Sequence, residues 1–103
     1  MKIIINSIWE QVPTCCQKLT EWGTPRTGDG QFINPSDIIT DKAGNVYVVD
    51  SENDRIQKFD STGKFITKWS INSPFGVAVD PNGKVYVIDQ NDASVEIYSP
   101  TSP

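Results

Sequence analysis

The chain contains one stretch that occurs twice, 39 residues apart and without a gap. Residues 35–50 read PSDIITDKAGNVYVVD and residues 74–89 read PFGVAVDPNGKVYVID. Seven positions are identical in the two copies: Pro35/Pro74, Asp41/Asp80, Gly44/Gly83, Val46/Val85, Tyr47/Tyr86, Val48/Val87 and Asp50/Asp89. A unit of about 40 residues built from short β-branched runs cannot bury both of its faces alone, so it must stack on neighbouring units.

Each copy has the pattern of an antiparallel meander. Short apolar runs alternate with glycine-containing turns, and they predict strands at 37–40, 46–49, 55–59 and 65–69, then at 76–79, 85–88 and 95–98. Four short strands in such a period are typical of a β-propeller blade. We therefore predict an all-β fold of four-stranded antiparallel blades, about two per chain. Propellers have four to eight blades, so the ring would be completed by oligomerisation.

The fourth strand of the second blade is not found after residue 98, where the sequence SPTSP is unsuited to a regular strand. A candidate lies earlier, because KLTEW at 18–22 resembles FITKW at 65–69 when Trp22 is aligned with Trp69. We expect residues 17–23 to form a fourth strand that completes a blade of a neighbouring chain. Residues 35–70 are then a complete blade, 74–99 a blade without its fourth strand, 100–103 a tail, and 1–16 an unassigned segment.

The composition restricts the partners. A net charge of −4 and a pI near 4.6 argue against nucleic acid and anionic membranes, which require clustered Lys and Arg. No apolar run is long enough to span a bilayer, and the N-terminal residues are a poor signal peptide. The chain has no His, and its two cysteines, Cys15 and Cys16, are adjacent, so a zinc site is not expected. The role of this cysteine pair and the cellular compartment stay undetermined.

The chain resembles the NHL-repeat family between residues 18 and 98, most specifically over Gly28–Trp69. The structural motif residues of this resemblance are Gly28, Asp29, Gly30, Phe32, Pro35, Asp50, Arg55 and Trp69. The second copy departs from the pattern at 92–94, where it has no arginine. The resemblance implies six-bladed rings and protein–protein contact. Two blades per chain would then give a trimer, whereas a dimer would give four blades and a tetramer eight.

The candidate binding residues lie in the loops that follow the second and fourth strands of each meander, which should share one acidic face. They are Arg26, Asp29, Asp50, Glu52, Asn53, Asp54, Asp89, Asn91 and Asp92. One interpretation is structural, because Asp and Asn stabilise turns and Asp50 can pair with Arg55. The other is a surface for a partner or ligand, with Ca²⁺ as the metal that oxygen ligands suit. Trp22 and Trp69 are expected to pack between blades, or else to form an exposed binding patch.

No catalytic residues are predicted, because no His is present as a base for the many Ser and Thr residues and no paired carboxylate stands out. The favoured hypothesis is a non-catalytic interaction and scaffold module without a cofactor. Its partners would be further copies of itself, with a trimer favoured, and another protein. One alternative is a calcium-dependent lactonase-like or esterase-like propeller with its site on the ring axis. The other is a fragment of a longer NHL-repeat protein.

Overall fold

The computed structural model describes residues 17–99. The predictions for residues 1–16, including Cys15 and Cys16, and for the tail at 100–103 lie outside the described residues. The strands are β1 (Thr24–Pro25), β2 (Gln31–Phe32), β3 (Pro35–Thr40), β4 (Val46–Asp50), β5 (Arg55–Phe59), β6 (Phe65–Ser70), β7 (Pro74–Val79), β8 (Val85–Asp89) and β9 (Ser94–Tyr98). A short 3₁₀ turn, Ser51–Asn53, joins β4 to β5.

Two antiparallel meanders make up most of the fold. The first sheet has the order β3-β4-β5-β6 and the second the order β7-β8-β9, while β1 and β2 form a short parallel pair. The register is the same in both sheets: Val49 lies opposite Ile56 and Ile88 lies opposite Val95. The predicted all-β class and the antiparallel blades are confirmed, whereas the ring stays a prediction.

Turns at one end of the sheets share the same construction. Each begins with an aspartate, called a turn aspartate below, and has a glycine three residues later at φ between 88° and 93°. The aspartate N–H donates to the carbonyl four residues on, and the glycine N–H donates back to the aspartate carbonyl. Glycine takes this left-handed conformation without a steric penalty, so the turn direction is encoded locally. The turn aspartates are Asp41, Asp60 and Asp80.

Hydrogen bonds lower the pKa of every turn aspartate. Burial acts to raise the pKa of Asp41, but bonds from Asn45, Tyr47 and Ala43 together lower it. The hydroxyl of Thr62 and backbone N–H groups lower the pKa of Asp60, and backbone N–H groups and the Tyr86 hydroxyl do the same for Asp80 despite some desolvation. Burial and the bond to Asp41 raise the pKa of Tyr47 to about 12.

The main core lies between the two sheets. Tyr47, Val49 and Ile56 of the first sheet pack on Val85 and Val87 of the second. This follows from the two-residue period of strands, which puts alternate side chains of β4 and β5 on the same face. The indole of Trp69 lies between the rings of Tyr47 and Tyr98, with centroid distances of 6.4 and 5.4 Å. Trp69 thus packs between the two sheets.

The other face of the first sheet carries a second apolar cluster. Val46, Val48 and Phe59 are buried there. Trp22 and Phe32 approach the Phe59 ring with centroid distances of 5.6 and 5.8 Å. Residues 17–23 have no strand pairing within the described chain. Their predicted role as the fourth strand of a neighbour's blade stays a prediction.

The backbone repeats even where the sequence does not. Asn34 and Ser73 both have positive φ, 54° and 50°, at positions 39 residues apart. Asp54 and Ala93 are related in the same way, each with φ of 52°. The tertiary arrangement therefore imposes one loop conformation on different residue types, at a cost that is greater for alanine than for Asn or Asp.

Candidate functional site

Four loops meet at the end of the sheets opposite the turn aspartates, and we call this region the loop end (residues 26–34, 51–54, 71–73 and 90–93). Backbone hydrogen bonds connect each loop to the next: Glu52 N to Ile33 O at 3.2 Å, Ile71 N to Asp54 O at 3.0 Å, and Gln90 N to Ser73 O at 3.0 Å. The loops predicted to share a face are therefore joined in one network.

Arg55 anchors the first of these loops. Its Nε donates to Asp50 Oδ2 at 2.8 Å, and its two terminal nitrogens donate to the carbonyls of Thr27, Gly28 and Gln31 at 2.7–2.9 Å. The side chains of both Asp50 and Arg55 are nearly removed from solvent. Because the planar guanidinium has donors pointing in fixed directions, one residue can hold three carbonyls of a tight loop at once.

Asp50 is the acceptor at the centre of this arrangement. Its Oδ1 accepts the N–H of Ile33 at 2.8 Å, and its Oδ2 also accepts from Asn53 at 2.9 Å and from Gln57 at 3.3 Å. The carboxylate is fully buried. Asp50 therefore pairs with Arg55, as the structural interpretation expects. Because its side chain is buried, it is not exposed to a partner at the surface.

Gln57 is a member of this hydrogen-bond network that the sequence analysis did not identify. Its amide oxygen accepts from Gly30 N at 2.9 Å and its amide nitrogen donates to Gln31 O at 2.7 Å. The available signal was a polar residue two positions after Arg55 on the same strand face. A polar side chain at a predicted core position calls for buried partners.

The second repeat within the chain (residues 74–98) has no equivalent of this network. Ser94 lies opposite Asp89, where the first sheet has Arg55 opposite Asp50. Asp89 is nevertheless buried and accepts a hydrogen bond from Asp92 N at 2.9 Å. Within residues 17–99, no Lys or Arg lies in salt-bridge range of Asp89.

Asp89, Asp92 and Glu96 bring one carboxylate oxygen each within 4.8 Å of one another. They offer three of the six to eight oxygen ligands that Ca²⁺ prefers. Glu96 also accepts the hydroxyl of Tyr98. The pKa of Tyr98 is raised to about 12, mainly because the hydroxyl is partly buried and next because it donates this hydrogen bond to Glu96.

The remaining candidate residues differ in exposure and bonding. The exposed ones are Arg26, Asp29, Glu52, Asp54, Asn91 and Asp92. Asp29 forms an ion pair with Lys68, and Glu52 accepts a bond from Asn34. Asn53 is half-buried and donates to Arg26 O at 3.0 Å, while Asp54 Oδ1 accepts from Ser73 N at 3.0 Å. The loop end thus has exposed acidic side chains on a backbone that is held by hydrogen bonds. Their role in binding stays a prediction.

The motif residues have structural positions. Gly28 and Gly30 form the turn that Arg55 and Gln57 hold, and a Cβ on Gly28 would come within 2.8 Å of the Gln31 side chain. Pro35 begins β3. Phe32 packs edge-on against Phe59, on the face of the first sheet that points away from the second.

Comparison with known proteins identifies the repeat. Residues 32–59 match the family described as NHL repeat. The chain is also 43% identical over 47 residues to "Protein lin-41" of Caenorhabditis elegans, a match that covers 46% of this chain and 4% of that protein. Residues 32–59 are therefore similar to an NHL repeat, as the sequence predicts, and the chain spans a small fraction of this relative's length. Among the described residues, no helix has the length and apolar character needed to cross a membrane.

Proposed function

We propose that the chain is a non-catalytic NHL-type propeller module that acts as a protein-interaction and scaffold unit and assembles into an oligomeric ring. The observation that carries the proposal is a stack of two blade-like sheets with apolar side chains exposed at both ends. Ile38 is 58% exposed at one end and Val95 is 62% exposed at the other. Exposed apolar faces of this kind mark interaction surfaces.

The number of sheets favours a trimer. Residues 17–99 contain two blade-like sheets, and six-bladed rings are typical of the family that the chain resembles. Three copies arranged head to tail would close such a ring, since a heterologous contact closes when the rotation per copy fits.

The loop end is the proposed surface for another protein. Backbone hydrogen bonds join the four loops and the Arg55 network holds the first of them, so the exposed acids need little ordering when a partner binds. Four exposed acids, Asp29, Glu52, Asp54 and Asp92, outnumber the one exposed arginine there, Arg26. A partner with a basic surface is complementary to this charge.

The native mass, measured by light scattering on a size-exclusion column, tests the ring. The chain has a mass of 11.4 kDa, so a trimer elutes as a single species of three times that mass. A monomer at all concentrations would refute the ring and favour the fragment hypothesis. Addition of Ca²⁺ in the same buffer tests the calcium-dependent alternative: a rise in melting temperature that Asp89→Asn abolishes would support it.

The partner surface has its own test, with a ten-residue lysine peptide as the probe. We expect binding that Glu52→Gln and Asp92→Asn weaken, while Asp60→Asn at the opposite end has no effect. Equal loss in all three variants would show that only net charge matters and would refute the loop end as the site.

A further inference from the structure

We infer that the open face of the second sheet of a second copy covers the first sheet of this chain, through a contact that repeats the one between the two sheets within the chain, with Trp22 enclosed between the copies. The inference rests on the ring proposed above and specifies its interface. The open face is defined by Ala78, Tyr86, Ile88, Val95 and Ile97.

Positions 39 residues apart correspond between the packed face and the open face. The first sheet packs on the second through Ile39, Tyr47, Val49 and Ile56. Their counterparts in the second sheet are Ala78, Tyr86, Ile88 and Val95, which belong to the open face. The strand register is the same in the two sheets at these positions: Ile39 lies opposite Tyr47, and Ala78 lies opposite Tyr86. The open face of the second sheet therefore carries apolar residues at the positions through which the first sheet packs.

The receiving surface is present as well. The second sheet presents Val77, Val85, Val87 and Tyr98 to the first sheet, together with Ile71. The counterparts of these residues are Ile38, Val46, Val48, Phe59 and Phe32. Phe32, Ile38 and Val48 line an open cleft of about 600 Å³ beside Trp22, whereas Val46 and Phe59 are already buried within the chain. The chain thus carries both halves of one contact, at opposite ends of the stack.

Trp22 lies at the position expected for the fourth-strand tryptophan of a blade that packs on the first sheet, just as Trp69 of the first sheet packs on the second. Its ring lies 5.6 Å from that of Phe59 at an interplanar angle of 55°, and Trp69 lies 5.4 Å from Tyr98 at 51°. Phe59 is the counterpart of Tyr98, so the two tryptophans occupy equivalent positions. The described residues contain no other strand of that blade, and the second sheet lacks a fourth strand after β9.

The second copy would supply those strands. Trp69 of β6 lies opposite Ile56 of β5. By the same register, Trp22 would lie opposite Val95 of the second copy, and residues 18–22 would extend that copy's three-stranded sheet to four. Trp69 also contacts Tyr47, at 6.4 Å. Tyr86 of the second copy would therefore close over Trp22, which is only partly buried in the single chain.

Two neighbouring positions on the open face make the inference testable. Val95 corresponds to Ile56, which is 0% exposed in the packed contact. Ile97 corresponds to Lys58, which lies at the edge of that contact with its Nζ 5.3 Å from the centroid of the Tyr47 ring. A charged side chain should therefore disrupt the contact between copies at position 95 but be tolerated at position 97.

The experiment compares the native masses of Val95→Glu and Ile97→Lys with that of the unmodified chain across a dilution series. Both side chains are more than half exposed in the single chain, so both variants should fold. We expect Val95→Glu to raise the dissociation constant by at least about 100-fold, equivalent to 2.7 kcal/mol, and Ile97→Lys to change it by less than about 5-fold.

The outcomes separate the interface from the ring. An unmodified chain that is monomeric refutes the proposed ring. An oligomer that both variants disrupt equally indicates non-specific apolar association and overturns the register in which Trp22 faces Val95. An oligomer that neither variant disrupts shows that another surface holds the copies together, which overturns the interface but not the ring. Circular dichroism of each variant confirms that any loss of mass is dissociation of folded chains.

Discussion

Removal of the Arg55 side chain should destabilise the loop end more than any surface substitution. Arg55→Ala removes the cation beside a fully buried Asp50 and four hydrogen bonds, three of them to loop carbonyls. Removing one partner of a buried ion pair typically costs about 3–5 kcal/mol, because the other charge is left buried and unpaired. Domains are stable by only about 5–15 kcal/mol, so this loss is a large share of the total.

The assay is urea unfolding followed by tryptophan fluorescence, with all variants at one protein concentration because association also contributes to apparent stability. With a slope near 1.5 kcal/mol per molar urea, the midpoint should fall by about 2–3 M. Amide exchange provides a local readout. The N–H of Gly30 and that of Ile33 are bonded to Gln57 and Asp50, so both should exchange faster.

Lys68→Met is the matched control. The Lys68–Asp29 pair is about half exposed, and such surface pairs contribute about 0–1 kcal/mol. Arg55→Lys separates charge from geometry, since an ammonium retains the charge beside Asp50 but cannot form the same three carbonyl bonds. A loss in Arg55→Ala no larger than that in Lys68→Met would refute the reasoning that the buried network holds the loop end.

Other parts of the chain lead to three further predictions. Ala93→Asn should raise stability by about 0.5–1 kcal/mol, because Asn tolerates the positive φ that alanine adopts at this position; a lower melting temperature would contradict this. Stability gained from the lowered pKa values of the turn aspartates should be complete above their ordinary value of 3.8 and be lost as the pH falls below it. Urea midpoints measured from pH 7 to pH 2.5 check this, and Asp60→Asn should make the acid dependence shallower. Glu21→Lys should tighten self-association, because the inferred register puts Glu21 opposite Glu96 of the second copy, whereas Lys68 lies opposite Gln57 in the first sheet; unchanged or weaker association on dilution would count against that register.

Much of the fold could be predicted because its signals are local. The β-branched and aromatic runs of β4 and β8 and the alternation in β5 mark the strands, and Gly44, Gly63 and Gly83 mark the turns. These features depend on residues within a few positions of one another, where backbone geometry is nearly fixed by residue type. The similarity of residues 32–59 to an NHL repeat was recognisable for the same reason.

The candidate site was less predictable. The sequence placed Asp50 and Asp89 on the acidic loop face, and it left open whether they stabilise the loops, with Asp50 paired to Arg55, or bind a partner. The structure buries both, and it gives Asp50 partners from residues 17 positions before it to 7 after it. Burial depends on which distant segment covers a side chain, and a local pattern does not contain that information.

The sequence by itself thus determined the repeat, the strand faces, the turns and the acidic character of the chain. Only the tertiary structure decided that Gln57 and Arg55 brace the loop at 27–31, and that Trp22 stands against Phe59 as Trp69 stands against Tyr98. The physical reason is range: periodicity fixes the direction of a side chain along its own strand, whereas its neighbours across a sheet face are set by how whole segments pack.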